Sequence, residues 1–376
     1  MNASCAPGNL FSNWTGGFIS TINPLSFAME SNLVLQANFV PNPFVALKGV
    51  YNGLFFNRTE VRHESSGFVT VTVNDAGTFT GSLLQGTRKY PVSGKFDLDG
   101  RTTNRVSFGG TNAVMVELQL SLVLGQNQIM GTVRGLLWQA GLAAELTGFT
   151  AASPIPHAGA FTLILPGSDE PTEPTGDSYG TAALTSLGLV NFSGMLADGT
   201  KAANKVAISR SGRWPFYVGL YGGKGSVLGW LEFAGDAPTN RLSGTVSWIK
   251  QTQGSAKFYP TGFALNAAAA GSRYTPPPAG TRVLDLTTAV LTLSGGNLTS
   301  PIVSDVELTA DNKFLIHSTN KLTLTIVPAS GLMSGSFTDP ASGKAVAFKG
   351  AVVETERSGA GYFLGTNASG RVRLTR

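Results

Sequence analysis

One cysteine, three histidines and a low charge density set the first limits on this chain of 376 residues. With Cys5 alone no intrachain disulfide can form, so stability has to come from packing. Cys5, His63, His157 and His317 lie far apart, which leaves no zinc-ligand spacing. No Gly-x-Ser-x-Gly elbow accompanies the histidines, so a serine nucleophile with a histidine base has no sequence support; each histidine reads as a surface residue. Charged residues make up only 13% of the chain, and the surface must therefore be covered largely by Ser, Thr, Asn and Gly. Such a surface suits an extracellular protein. The formal net charge of +5 is dispersed without a Lys/Arg run, so no nucleic-acid partner is expected. No stretch reaches the roughly 18 consecutive apolar residues that a membrane-spanning helix needs. The opening residues Met1 to Cys5 carry neither the basic region nor the apolar core of an export signal, and secretion is expected from the remainder.

What the chain has in abundance is turn chemistry. Forty-seven glycines and nineteen prolines punctuate short runs rich in Val, Leu, Thr, Phe and Ala, the profile of an all-β protein. The length exceeds one ordinary domain and predicts about two to four units. Between residues 42 and 152 about eight strand-like segments can be read, near 50–56, 67–74, 77–84, 89–97, 103–108, 113–123, 128–135 and 137–149. Eight short strands with no helical period predict a small closed antiparallel barrel, with a β-sandwich as the alternative topology. An outer-membrane barrel is disfavoured by the short strands and the lack of regular aromatic girdles.

An internal repeat follows. Gly81 in Thr80-Gly81-Ser82 and Gly194 in Ser193-Gly194-Met195 are separated by the same interval as Gly131 in Met130-Gly131-Thr132 and Gly244 in Ser243-Gly244-Thr245. Thr147-Gly148-Phe149 and Thr261-Gly262-Phe263 are one residue further apart. This register predicts a duplicated unit over 153–274, and Ser334-Gly335-Ser336 gives a fainter third echo. The proline run Pro276-Pro277-Pro278 marks a boundary before a divergent third unit at 281–376.

The first 41 residues read differently. Phe11-Ser12-Asn13-Trp14-Thr15-Gly16-Gly17, Asn23-Pro24-Leu25-Ser26-Phe27 and Leu35-Gln36-Ala37-Asn38-Phe39 form a series that resembles the C-terminal half of the small β repeat of bacterial surface proteins, the internalin B-repeat or bacterial repeat family. The resemblance covers about a tenth of the chain and implies extracellular display with structural or adhesive roles. It also implies that the repeat's opening strands lie outside this chain, which is expected to be part of a longer protein. Pro41-Asn42-Pro43 then serves as a linker.

Candidate binding residues gather in the second unit. In Trp214-Pro215-Phe216-Tyr217-Val218-Gly219-Leu220-Tyr221, alternation sets Trp214, Phe216, Val218 and Leu220 on one face and Tyr217 and Tyr221 on the other. Trp230 and Glu232 share a face of their strand, as do Trp248 and Lys250. If Tyr217, Tyr221, Trp230 and Trp248 meet on a wet face, they form a platform for sugar rings, with Glu232 and Lys250 contacting hydroxyl groups. The competing expectation is that the tryptophans fill a barrel. A polysaccharide or cell-surface glycan is the partner that the platform implies.

Glycoside hydrolysis requires two carboxylates about 5 to 10 Å apart. Glu232 with Asp198 or Asp236 is the pairing in aromatic company, although both aspartates read as turn residues. Calcium is the one cation with candidate ligands, in Asp169-Glu170-Pro171-Thr172-Glu173 with Asp177, and in Asp97-Leu98-Asp99; solvated turns are the alternative. Gly222-Gly223-Lys224-Gly225-Ser226 lacks the spacing of a phosphate loop and reads as a hairpin turn. The functional expectation is a non-catalytic surface or secreted structural or adhesive protein, with carbohydrate binding and then carboxylate-dependent glycoside hydrolysis as alternatives.

Overall fold

The computed structural model describes residues 1–109, 112–235, 241–318 and 320–376. It contains three eight-stranded antiparallel sheets in tandem, preceded by a two-stranded hairpin of Asn9–Gly16 and Leu35–Pro41. Each eight-stranded sheet follows one rule. Consecutive strands pair as a meander, and the first strand pairs with the last, which curls the sheet into a barrel. In the first barrel Gly49–Phe56 pairs with Gln139–Leu146. The corresponding pairs are Gly159–Leu165 with Phe263–Arg273 in the second barrel and Thr288–Gly295 with Ser369–Thr375 in the third. Closure by the terminal strands removes the sandwich alternative.

The remaining seam, where the ladder is interrupted, lies between the fourth and fifth strands of the first two barrels and between the third and fourth strands of the third. Side chains stitch it. In the first barrel the Asn104 amide on Arg101–Gly109 donates to the Ser93 carbonyl on Arg88–Lys95, at 2.8 Å. In the second, Asn204 on Lys201–Ala207 donates to the Tyr217 carbonyl on Arg213–Leu220 at 2.9 Å and accepts the Trp214 indole N–H at 3.0 Å. In the third barrel a backbone bridge joins Lys313 and Thr325. Replacing Asn204 with Ala orphans the N–H of a fully buried indole and a seam carbonyl, at about 1–3 kcal/mol for each buried group left unpaired. Urea unfolding of Asn204→Ala should therefore show a lower midpoint at unchanged slope; an unchanged midpoint would remove the stitch from the account.

Eight strands enclose just enough room for side chains to fill. In the second barrel Trp214, Phe216, Phe161, Phe192 and Phe233 occupy that space, with Trp214 and Phe216 ring centres 5.0 Å apart and Phe161 and Phe233 also 5.0 Å apart. Alternation along Arg213–Leu220 is obeyed: Trp214, Phe216, Val218 and Leu220 point inward. The first barrel is filled around Tyr51, Phe55, Phe79 and Phe96, and its mouth is plugged by the one-turn helix Phe44–Leu47, whose Phe44 and Leu47 are buried. The third is filled around Phe337, Phe348 and Phe363.

Gly81 and Gly194 both lie on third strands, and Gly131 and Gly244 both on seventh strands. The other two echoes do not correspond. Thr147–Phe149 follows the eighth strand of the first barrel while Thr261 and Gly262 precede that of the second, and Gly335 lies on the fifth strand of the third barrel. Short Gly-containing motifs recur at any hairpin end, so their likeness alone did not fix a position.

Candidate functional site

The outer wall of the second barrel meets the first barrel over a small apolar patch. Tyr217, Leu228 and Ile249 pack against Leu54, with Phe56, Val61, Phe68, Leu84 and Trp230 around them. The approach is close enough to demand glycine: a Cβ added to Gly219 would lie 2.0 Å from the Gly86 carbonyl oxygen. Polar contacts lock the patch. The Tyr217 hydroxyl donates to that same carbonyl at 3.3 Å, and the Asn52 amide donates to the Ala207 carbonyl at 3.0 Å. The imidazole of His63 is buried here, with Nε2 2.7 Å from the Gly223 carbonyl and Nδ1 3.2 Å from the Ser226 hydroxyl. His63 is therefore an interface residue, not the surface residue its sequence neighbourhood suggested. Gly222 and Gly223 form the turn into the strand Gly225–Ala234, as the hairpin reading required.

Where the two barrels part, they leave a cleft of about 620 Å³. Its floor is the outer face of three neighbouring strands, Gly225–Ala234, Arg241–Lys250 and Phe263–Arg273. Its wall is the chain from Phe56 through Arg58, Thr59 and Glu60 to Val61. Register builds the floor in rows: Trp230 faces Thr245, and Leu228 faces Ser247, which faces Asn266. Strand eight contributes Ala264 and Ala268 to this outer face, and Ala264, which lines the cleft, is too short to fill it. The Ser247 hydroxyl donates to Asn266 Oδ1 at 2.6 Å, which directs the amide nitrogen of Asn266 toward further partners. Trp230 is half-buried, and the Arg213 guanidinium sits 4.3 Å from its ring centre. Arg213 is itself ion-paired to Glu145 of the first barrel, and Ser211 donates to the same carboxylate at 2.7 Å. The ring is thus tied to the junction that shapes the cleft.

The six residues expected to form one platform are divided by the sheet. Trp230 lines the cleft and Glu232 is exposed on the same outer face, opposite Arg213. Tyr217 is consumed by the contact between barrels. Trp248, Lys250 and Tyr221 lie on the inner side, because Trp248 pairs with the inward residue Val227 and Tyr221 leaves the strand at a positive φ of 54°. The platform reading is corrected to one aromatic in the cleft, the half-buried Trp230. Arg213, Thr245, Ser247, Asn266 and the Phe56–Val61 wall were not singled out from the sequence. Alternation could have placed Thr245 and Ser247 outward, but only the docking of the barrels creates the wall.

The inner residues form a separate network. Lys250 Nζ lies 3.6 Å from Asp198 Oδ2 and donates to the Phe258 carbonyl at 2.7 Å. Asp198 Oδ2 accepts the Tyr221 hydroxyl at 2.7 Å, which accepts the Trp248 indole N–H at 2.9 Å. Asp198 Oδ1 accepts the Thr200 N–H at 3.0 Å, the turn role expected for it. Burial first, and the Asp198 carboxylate second, push the Tyr221 phenol far above its usual range. Asp198 and Glu232 therefore lie on opposite sides of the barrel wall, and their pairing across a bond is corrected. Asp236 lies outside the described residues.

The acidic loops are occupied as well. Asp177 is fully buried between the second and third barrels, with Arg373 Nε 2.8 Å from Oδ2 and Arg371 Nε 3.6 Å from Oδ1. Burial raises its pKa despite those guanidinium groups. Arg371 also holds Asp169 at 2.9 Å, and Asp97 Oδ1 accepts the N–H groups of Asp99 and Arg101. In these loops Asp169 and Asp177 make ion pairs and Asp97 caps a turn; among the described residues no group of three His, Cys, Asp or Glu side chains is placed to hold a metal ion.

No helix among the described residues is long and apolar enough to cross a membrane. No family model matches the sequence, and no curated protein matches it. Two crystal structures of transferrin binding protein B are similar. One is a mutant of the vaccine antigen from Haemophilus parasuis, at TM-score 0.21 and 11% identity over 97% of this chain and 84% of that one. The other is the isotype 1 protein from serogroup B Neisseria meningitidis, at TM-score 0.19 and 11% identity over 96% of this chain and 84% of that one.

Proposed function

We propose that this chain is a non-catalytic module of a secreted or cell-surface bacterial protein, adhesive in character, with the cleft between its first two barrels as its ligand site. The observation that carries the reading is the use made of reactive side chains. Asp198 and Lys250 neutralise each other inside the second barrel, Asp177 is paired with Arg373, and Glu145 with Arg213. The cleft in turn offers an aromatic ring, hydroxyl groups and an amide, the equipment of recognition and not of bond cleavage. A surface poor in charge and the resemblance of residues 11–40 to bacterial surface repeats support display outside the cell.

The competing hydrolase reading rests on Glu232. In assays of reducing-sugar release from soluble polysaccharides, the wild-type protein and Glu232→Gln should both give the background rate. Release by the wild type that disappears in Glu232→Gln would overturn the proposal.

A further inference from the structure

We infer that the cleft between the first and second barrels takes a short stretch of a saccharide chain, stacked on Trp230 and hydrogen-bonded by Asn266, Ser247 and Thr245; this rests on the proposal that the cleft is a ligand site.

The floor itself argues against a peptide strand. Two of the floor strands, Gly225–Ala234 and Arg241–Lys250, are hydrogen-bonded on both sides, whereas Phe263–Arg273 pairs with Gly159–Leu165 only over Ala270–Arg273, so a strand edge borders the cleft only beside Ala264, Leu265 and Asn266. Over most of its floor the cleft offers no edge to which a backbone could add. It presents instead a flat ring beside short neutral polar groups, separated by alanine-sized gaps. A pyranose has the matching surface, with C–H faces that stack on an indole and hydroxyl edges that both donate and accept. Asn266 supplies N–H donors, Ser247 is more than nine-tenths buried at the base of the cleft, and the Thr245 and Thr59 hydroxyls can do either. The charged residues of the wall, Arg58 and Glu60, are opposite in sign, and Glu60 is ion-paired with Arg62 at 2.7 Å. A neutral saccharide is therefore favoured over a highly charged one.

The test uses the full chain in affinity electrophoresis and pull-down against cellulose, chitin, xylan and laminarin, and against ovalbumin before and after enzymatic deglycosylation. Retardation or retention on at least one saccharide is expected, and its loss by about tenfold or more in Trp230→Ala and Asn266→Ala, with circular dichroism unchanged. The polysaccharide and glycoprotein arms separate a matrix ligand from a protein-borne glycan. Ala264→Trp, which fills the recess from an alanine of its own lining, should abolish binding in the same way. Saccharide binding that survives all three substitutions overturns the inference, as does retention on none of the six materials. A Trp230-dependent fluorescence change with a peptide mixture but not with saccharides would overturn the saccharide class and keep the ligand site. No Trp230-dependent response to either would remove the ligand site itself.

Discussion

Raising the pH from about 10 to about 12 should unfold this protein cooperatively, with the tyrosinate absorption band and the loss of β-sheet circular dichroism appearing together. Six of the eight tyrosines, at 51, 179, 217, 221, 274 and 362, have pKa values raised above the usual 10, in each case first by burial. Tyr51 and Tyr274 are pushed up to about 12. The sign is fixed by linkage. Below pH 10 both folded and unfolded chains keep these phenols protonated, and they contribute no pH dependence. Above it the unfolded chain releases protons that the fold retains, so stability falls as pH rises, until the folded values are passed. Each fully protected phenol contributes a slope of about 1.4 kcal/mol per pH unit. Several acting together exhaust a stability of roughly 5–15 kcal/mol within one or two units. The second barrel carries three of the six, Tyr179, Tyr217 and Tyr221, and Tyr217 also seals its contact with the first. Ionisation of most tyrosines ahead of any change in circular dichroism would contradict the burial described.

The second large effect concerns the ion pair inside the second barrel. The side chains of Lys250 and Asp198 are 5% and 2% exposed, so neither charge has water to fall back on. Lys250→Met leaves Asp198 as a buried anion and should cost about 3–5 kcal/mol, the usual penalty for breaking a buried pair. Adding Asp198→Asn removes that charge, and its one carbonyl oxygen still accepts the hydrogen bond of either Tyr221 or Thr200. The double variant should therefore recover at least half of the loss, a coupling that denaturant unfolding of the single and double variants measures directly. Additive losses would mean that the two groups do not compensate each other. The same experiment bears on function, because a buried pair that balances itself is a structural element and not a poised catalytic couple.

Much of this architecture is legible in the amino-acid sequence, and the divisions fall where physics would put them. Strand identity follows from local signals: short apolar runs between glycine or proline turns were enough to locate eight segments in the first unit, and alternation set the inward face of Arg213–Leu220 in the second. Which face of one strand continues which face of the next depends on register, and register is a property of pairs. Trp230 and Trp248 were expected side by side; pairing sets Trp230 against Thr245 and Trp248 against Val227, one outside and one inside. Tyr221 was expected to continue the outward face of Tyr217, but the strand ends at Leu220 and the turn carries the ring inward. The cleft was least visible of all. Its wall and floor are about 170 residues apart in sequence, joined by Gly219 meeting Gly86 and by a patch around Leu54, and no local pattern announces such a docking. The seam asparagines were equally hidden, since Asn104 and Asn204 are ordinary polar residues until the barrel closes.

The central claim is that Trp230, alone among the five tryptophans, serves a ligand while Trp214 and Trp248 serve the core. The most direct measurement is a nitrogen-15 spectrum of the five indole N–H groups, assigned by substitution and recorded with and without a fragment of whichever saccharide is retained. The account expects the Trp230 resonance to move on titration, while those of Trp214 and Trp248, hydrogen-bonded to Asn204 and Tyr221, stay fixed and slow to exchange. Movement of Trp214 or Trp248 with Trp230 unchanged would contradict it.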